Sequence, residues 1–369
     1  KDMIEGLYYP QSPYLFNIIE PNLLGKIYEI FLTEQLLLLE NNTIGLGKKK
    51  DCQNRSVVTT PTEIVKYMVD KTLSKVCDGK TPSEILDISV ADIACGSGIF
   101  LEEAFAYLQD YCVQWYICNG QTDHLIETGI DLYKLPLQEK KDILCSCIYG
   151  IDIDIHAVEV AKFSLLIKLI EDETAPSVSE VVPILPDLGD NIQFGNSLVS
   201  QTELNGISGA NHQMMEIAPF DWSTINNGCG FDVIIGNPPY VNTEGMHALL
   251  PSAEVEIYKK KYKTSHKQFD KYFIFIEQAI NKINENGLVC YIVPNKFFKI
   301  GAGEKLRNLI AKERMLVSLD DFGDAQLFED KTIYSSIILL SKAKQTSFVY
   351  SSVDSANKLW AGEEVSSIE

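Results

Sequence analysis

From about Ile85 onward, short apolar strands alternate with amphipathic helices, and this predicts an α/β fold with a mostly parallel sheet covered by helices on both faces. Two further observations refine the prediction. The last strands, SLDDFGDAQLF and KTIYSSIILLSK, follow one another with no helix between them, so an antiparallel edge pair is expected. The first 55 residues stand outside the alternation and read as an N-terminal helical appendage. Three segments result: a helical segment over 1–55, an α/β domain over 56–345, and a polar stretch over 346–369 that is a tail or the start of a further module.

In LLGKIYEIFLTEQLLLLE, Leu23 to Glu40, apolar residues recur at helical spacing after Pro21-Asn22, and a packing helix is expected. NNTIGLGKKKDCQNR reads as a polar loop. TPTEIVKYMVDKTL carries helix-start signals: Thr60 as N-cap, Pro61 at the first helical position and Glu63 three residues after the cap. LDISVADIA is a strand followed by the helix SGIFLEEAFAYLQDYCVQWY. ILCSCIYGIDID is a strand followed by HAVEVAKFSLLIKLIE as a helix, and NIQFGNSL is a short strand. FDVIIGNPPY is a strand whose helix is FDKYFIFIEQAINKI, and LVCYIVP precedes the helix KLRNLIAKER.

Composition is that of an ordinary globular chain, 46% apolar and 22% charged. The net charge of −19 argues against a free-standing nucleic-acid binder, which is basic as a rule. Any such contact must use a local patch or another module. The nine cysteines include no CxxC pair, and the five histidines show no metal-ligand spacing, so reduced structural thiols in a cytoplasmic protein and no metal are expected. No apolar run is long enough to span a bilayer and no signal peptide is visible. The chain begins Lys-Asp-Met, which reads as a fragment of something longer.

Four strand-end motifs carry chemistry. In ADIACGSGIF a strand ends at Asp92, and Gly96-Ser97-Gly98 turns the chain into a helix, bringing backbone N–H groups close to a ligand. The acid before the glycines would repel a pyrophosphate but suits an ammonium group, such as the methionine end of S-adenosylmethionine. In YGIDID, Asp152 can accept from both ribose hydroxyls, while Asp154 is as suited to cap the next helix. The separation between glycines and acid exceeds the ~20 residues usual for such folds, which marks roughly 114–141 as an insertion. In FGNSL, Asn196 either forms a plain turn or bonds the edge of an adenine ring. In DVIIGNPPYV, Asn237 offers an amide oxygen and Pro238 a carbonyl whose direction the flanking rings of Pro238 and Pro239 lock. Two neutral acceptors at fixed angles match the two hydrogens of an exocyclic amine, and Tyr240 adds a flat face for a base.

With these motifs in this order, the sequence resembles the amino-group DNA methyltransferases that carry an NPPY motif. It is similar in particular to the adenine-N6 methylase core of type IIG restriction–modification and related phage-defence enzymes, over roughly residues 18–341. IEPNLLGKIYEIFL and TTPTEIVKYMVD stand where that family has its upstream helix, and VPNKFF and DFGDAQLFEDKTIYSSIILL match its later stretches. The resemblance implies a Rossmann-like S-adenosylmethionine-dependent methyltransferase fold. It places Thr60 and Pro61 against the cofactor and Asp92, Ala94, Gly96 and Gly98 at its methionine end. Asp152 then holds the ribose, Ile153 packs on the adenine ring and Asn196 reads its edge. Asn237, Pro238, Pro239 and Tyr240 grip the target amine and base, and Phe328 either stacks on the other face of the flipped base or is an ordinary core residue.

The family's Tyr-Tyr before Thr-Pro is replaced here by Val58-Thr59, and neither a target-recognition module nor a nuclease motif is evident. The resemblance therefore implies double-stranded DNA as partner, with a recognition module and a nuclease domain lying elsewhere in a longer protein. In VEIYKKKYKTSHKQFDK six lysines outnumber two acids, so Lys259, Lys260, Lys261 and Lys263 either contact phosphates beside the flipped base or form a solvated loop. Two other functions remain open at this level: methylation of protein glutamine or RNA, which also uses NPPY, and a non-catalytic module that positions a partner subunit.

Overall fold

A computed structural model describes residues 34–38, 44–48, 60–174, 181–204, 213–328, 333–353 and 366–368. The elements that matter here are, in chain order, β1 (Glu34–Leu38), β2 (Ile44–Lys48), α1 (Thr62–Cys77), β3 (Val90–Asp92), α2 (Ile99–Cys118), β4 (Ile126–Gly129), β5 (Leu132–Lys134), α3 (Leu137–Cys147), β6 (Ile148–Asp152), α4 (Ile155–Ile170), β7 (Ile192–Phe194), β8 (Phe231–Gly236), α5 (Thr243–Leu249), α6 (Ser252–Lys261), α7 (Lys271–Lys282), β9 (Ile283–Pro294), α8 (Glu304–Glu313), β10 (Leu316–Gln326), β11 (Tyr334–Ser341), β12 (Val349–Ser352) and β13 (Ser366–Ile368).

Nine of these strands form one sheet in the order β13-β12-β10-β11-β9-β8-β3-β6-β7. Strands β9, β8, β3, β6 and β7 are parallel, and β11 runs antiparallel to both β9 and β10. The central strands are mostly apolar because both faces are covered. Leucines, isoleucines and phenylalanines of α1, α2, α3 and α4 pack on one face, and those of α6, α7 and α8 on the other. The chain leaves β3 for β6 and β7 on one side and returns through β8 and β9 on the other. The carboxyl ends of β3 and β8 therefore meet at the topological switch point, the place where such sheets take their ligands.

Several local expectations change. Residues 34–38 form not the end of a helix but a strand paired antiparallel with β2, Leu38 opposite Ile44. An unbroken run of leucines has no helical period of its own. The earlier part of that expected helix, residues 23–33, lies outside the described residues. The ILCSC half of the expected second strand is the end of α3, and the strand starts only at Ile148. The insertion after α2 consists of the β4–β5 hairpin and α3. The expected antiparallel pair is present as β10 and β11, but the polar stretch beyond it adds β12, parallel to β10, and β13, antiparallel to β12. These two outer strands are only four and three residues long and rich in serine.

Candidate active site

The turn after β3 is built from backbone hydrogen bonds to two carboxylates. The Ala94 amide donates to Asp92 Oδ1 at 3.0 Å, and the Gly96 amide donates to Asp152 Oδ2 at 2.8 Å. Gly98 has φ +92° and starts α2 in the left-handed conformation, where a side chain would be strained and would press on Ala161. Asp92 is only 2% exposed. Burial pushes its carboxyl up to about 8, against the pull of the Ala94 N–H and with a further push from Asp152. Asp152, at the end of β6, also accepts from the Asp154 amide at 2.8 Å, and burial raises its carboxyl although these N–H groups oppose it. Asp154 caps α4, accepting from the His156 amide at 2.9 Å. Ile153, between the two acids, is an apolar side chain left 44% exposed at the strand end.

The second half of the site follows β8. Gly236 lies so close to Asp92 that an added Cβ would sit 2.6 Å from Asp92 Oδ1. Only glycine permits this approach, and it sets the Asn237-Pro238-Pro239-Tyr240 corner directly beside the β3 loop. Pro238 is buried, and Asn237, Pro239 and Tyr240 are half-buried. The Asn237 carboxamide is held at both ends. Its Nδ2 donates to Thr60 Oγ1 at 3.0 Å, and its Oδ1 accepts from the Tyr240 hydroxyl at 2.5 Å. That hydroxyl also lies 2.8 Å from the Ile292 carbonyl oxygen, its ring meets Tyr272 edge-on, and burial pushes its pKa up.

Thr60 does not cap α1 as expected. The cap position falls on Pro61 with no side-chain bond, and Ile64 N–H donates to the Pro61 carbonyl instead. The hydroxyl is 177 residues distant in sequence from the amide it meets. Helix α1 is anchored further along: Lys71 and Tyr67 both donate to the buried Asp320 carboxylate on β10.

Three sequence readings change at this site. Asn196 is 3% exposed, and its amide is occupied within the protein. Nδ2 donates to Glu254 Oε1 at 3.0 Å, and Oδ1 accepts from the Leu198 amide at 3.1 Å. Phe328 is 2% exposed and packs in the core on the side of α1 and α2, so the core reading holds over a stacking face. The first part of the lysine-rich stretch, up to Lys261, is the end of helix α6, and only the part after it is a loop. Lys261 pairs with Glu203 at 2.9 Å and donates to the Leu198 carbonyl, which makes it structural. Lys259, Lys260 and Lys263 are exposed, with Lys260 paired to Glu256 one turn away. The interleaved Tyr258 and Tyr262 are core residues.

Two features escaped the sequence reading. One is the Thr60–Asn237 bond. The other is a buried polar group in which Tyr258 donates to Glu254, Lys271 lies 3.8 Å from Glu254, and Asn196 completes the set. The four-residue spacing of Glu254 and Tyr258 on one helix face was its only local signal.

A sheet of this order, with a glycine turn after its first central strand and an Asn-Pro-Pro-Tyr corner after β8, has the Rossmann-like fold of S-adenosylmethionine-dependent methyltransferases. The chain carries a domain of one family of them: residues 146–328 match the family model described as Eco57I restriction-modification methylase. It is 43% identical, over 98% of its length, to the type II restriction enzyme and methyltransferase RM.Eco57I of Escherichia coli, and it spans 35% of that relative. Over 51% of its length it is 27% identical to the putative type II restriction enzyme and methyltransferase RM.MjaORFECS2P of Methanocaldococcus jannaschii, of which it spans 17%. Among solved structures, the DrdV–DNA complex superposes on 90% of this chain with a TM-score of 0.57 at 15% identity, over 30% of that chain. The type IIL restriction–modification enzyme MmeI in complex with DNA superposes on 95% with a TM-score of 0.55 at 16% identity, over 43% of that chain. These two likenesses concern the fold.

Proposed function

We propose that this chain is the modification core of a restriction–modification enzyme and transfers a methyl group to the exocyclic N6 amine of an adenine turned out of double-stranded DNA. The observation that carries the reading is the contact between the two strand ends: Gly236 against Asp92 sets the Asn237 carboxamide beside the glycine turn. An acceptor for amine hydrogens and a loop suited to an ammonium-bearing cofactor then lie side by side.

S-adenosylmethionine fits the residues present. Asp92 is a carboxylate whose burial raises its pKa, so a cationic group beside it would be favoured, and Ile153 is an exposed apolar side chain directly after Asp152. Asp92, Ala94, Gly96 and Gly98 would hold the methionine end, Asp152 the ribose, Ile153 the adenine ring, with Thr60 and Pro61 against the cofactor. When bound, this group supplies a methyl made electrophilic by its sulfonium. Asn237 Oδ1 and the Pro238 carbonyl accept the two amine hydrogens and turn the nitrogen lone pair toward the cofactor side. Neither acceptor needs to ionise, since the proton can leave after transfer. Tyr240 offers its ring face to the base, and that stacking offsets part of the few kcal/mol that extrusion costs. The exposed Lys259, Lys260 and Lys263 contact phosphates nearby. Recognition of a DNA site and any cleavage belong to other parts of a longer cytoplasmic protein.

The test is to incubate the protein with labelled S-adenosylmethionine and unmethylated double-stranded DNA, then digest the DNA to nucleosides. Label is expected in N6-methyladenine, with Asn237→Ala lowering the rate at least about 100-fold. Label in N4-methylcytosine would refute the adenine assignment. Label in protein alone would refute DNA as substrate.

A further inference from the structure

We infer that Thr60 is a positioning residue for the methyl acceptor: its hydroxyl holds the Asn237 carboxamide with the oxygen turned to the amine. This rests on the reading of Asn237 as the group that accepts the amine hydrogens.

A carboxamide has a donor end and an acceptor end of nearly identical shape, so packing alone does not choose between its two flips. Only one flip presents Oδ1 to an incoming amine. Two hydroxyls flank the Asn237 amide. Tyr240 cannot choose by itself, because it has one proton and two acceptors in reach, Asn237 Oδ1 at 2.5 Å and the Ile292 carbonyl at 2.8 Å. When its proton turns to Ile292, its oxygen becomes an acceptor and would draw Nδ2. Thr60 takes Nδ2 at 3.0 Å, and with both hydroxyls in place each end of the carboxamide has its own partner. With the donor end paired to Thr60, the oxygen end of the carboxamide is the end turned away from it.

The anchor is dry and stiff. Thr60 is 4% exposed, so water competes little for its oxygen. Its backbone leads directly into α1, which Lys71 and Tyr67 tie to Asp320. The same residue that the resemblance places against the cofactor therefore also reaches the acceptor side.

The experiment compares Thr60→Val, which keeps the shape and removes the hydroxyl, with Thr60→Ser, which keeps the hydroxyl. Both are measured with labelled S-adenosylmethionine on unmethylated DNA, and both are titrated with the cofactor analogue sinefungin. Thr60→Val is expected to lower kcat about five- to tenfold, the effect of one lost hydrogen bond, and by clearly more than any loss of sinefungin affinity. Thr60→Ser is expected to restore kcat. In the double variant with Asn237→Ala, the Thr60→Val change should cost nothing further, since the group it positions is gone. A Thr60→Val protein with wild-type kcat, or one whose loss is matched by an equal loss of sinefungin affinity, overturns the inference. So does a double variant in which the two losses multiply. If Asn237→Ala itself transfers methyl at full rate, the amine-binding reading falls with it. If Asn237→Ala is inactive while Thr60→Val is normal, the Thr60 inference falls alone.

Discussion

Raising the pH from 5.5 to 6.5 should tighten binding of an ammonium-bearing cofactor analogue about tenfold, because Asp92 must ionise to meet it. In the empty protein the Asp92 carboxyl is pushed from 3.8 up to about 8, first by burial, against the Ala94 N–H and with help from Asp152. Its folded pKa lies above the unfolded one, so ionisation lowers the stability of the empty protein progressively as pH climbs from about 4 to 8. An ammonium group placed beside the carboxylate removes that penalty, and the gain appears as affinity. Below the raised pKa nearly every Asp92 carries a proton that binding must expel, which gives a slope of about one in log affinity per pH unit. The assay is calorimetric titration with sinefungin between pH 5.5 and 7, in buffers of different ionisation enthalpy, reading both affinity and proton release. Methylthioadenosine, which lacks the amino-acid end, is the control and should show a flat profile. A flat profile for sinefungin, or an equal slope for both ligands, would refute the assignment of Asp92 to the ammonium. The second outcome would shift the titration to Asp152, the acid proposed for the ribose that both ligands share.

Two further outcomes follow from other parts of the molecule. Changing Lys259 and Lys260 together to Ala should reduce the dependence of log DNA affinity on log salt by up to about two phosphate contacts while sparing sinefungin binding, as measured by fluorescence anisotropy over a salt series; an unchanged slope would return these lysines to the role of a solvated face. Lys71→Met should destabilise the fold by about 3 kcal/mol in urea melts, because it strips the cation from the buried Asp320 carboxylate, whereas a loss below about 0.5 kcal/mol would mean that the carboxylate is satisfied without it.

How much of this was legible beforehand depended on how local the signal was. The strands β3, β8 and β9 and their helices could be read because burial on both faces forces continuous apolar runs. The glycine turn and the proline corner could be read because their backbone demands restrict residue type. The hairpin at residues 34–48 could not, since a row of leucines serves a strand or a helix equally. The boundary inside ILCSCIYGIDID was hidden for a similar reason: α3 and β6 meet with no polar residue long enough to mark the change. Strands β12 and β13 are only four and three residues long and rich in serine, so they leave little apolar trace. At the site, Asp154 as a cap was legible from position alone. Thr60 was misassigned because the same Thr-Pro that signals a cap also serves a partner in another part of the chain. Asn196 was read as facing a ligand because nothing near it in sequence announces Glu254.

The glycine that lets β8 lean on the acid of β3 has a consequence for how this domain can change. On the proposed reading, the methyl donor and its acceptor meet across this one close contact. A bulkier residue there would wedge apart two reaction partners that must touch. Substrate preference can thus drift through the loops around the rim, while the spacing across that contact stays fixed by the absence of a single methyl.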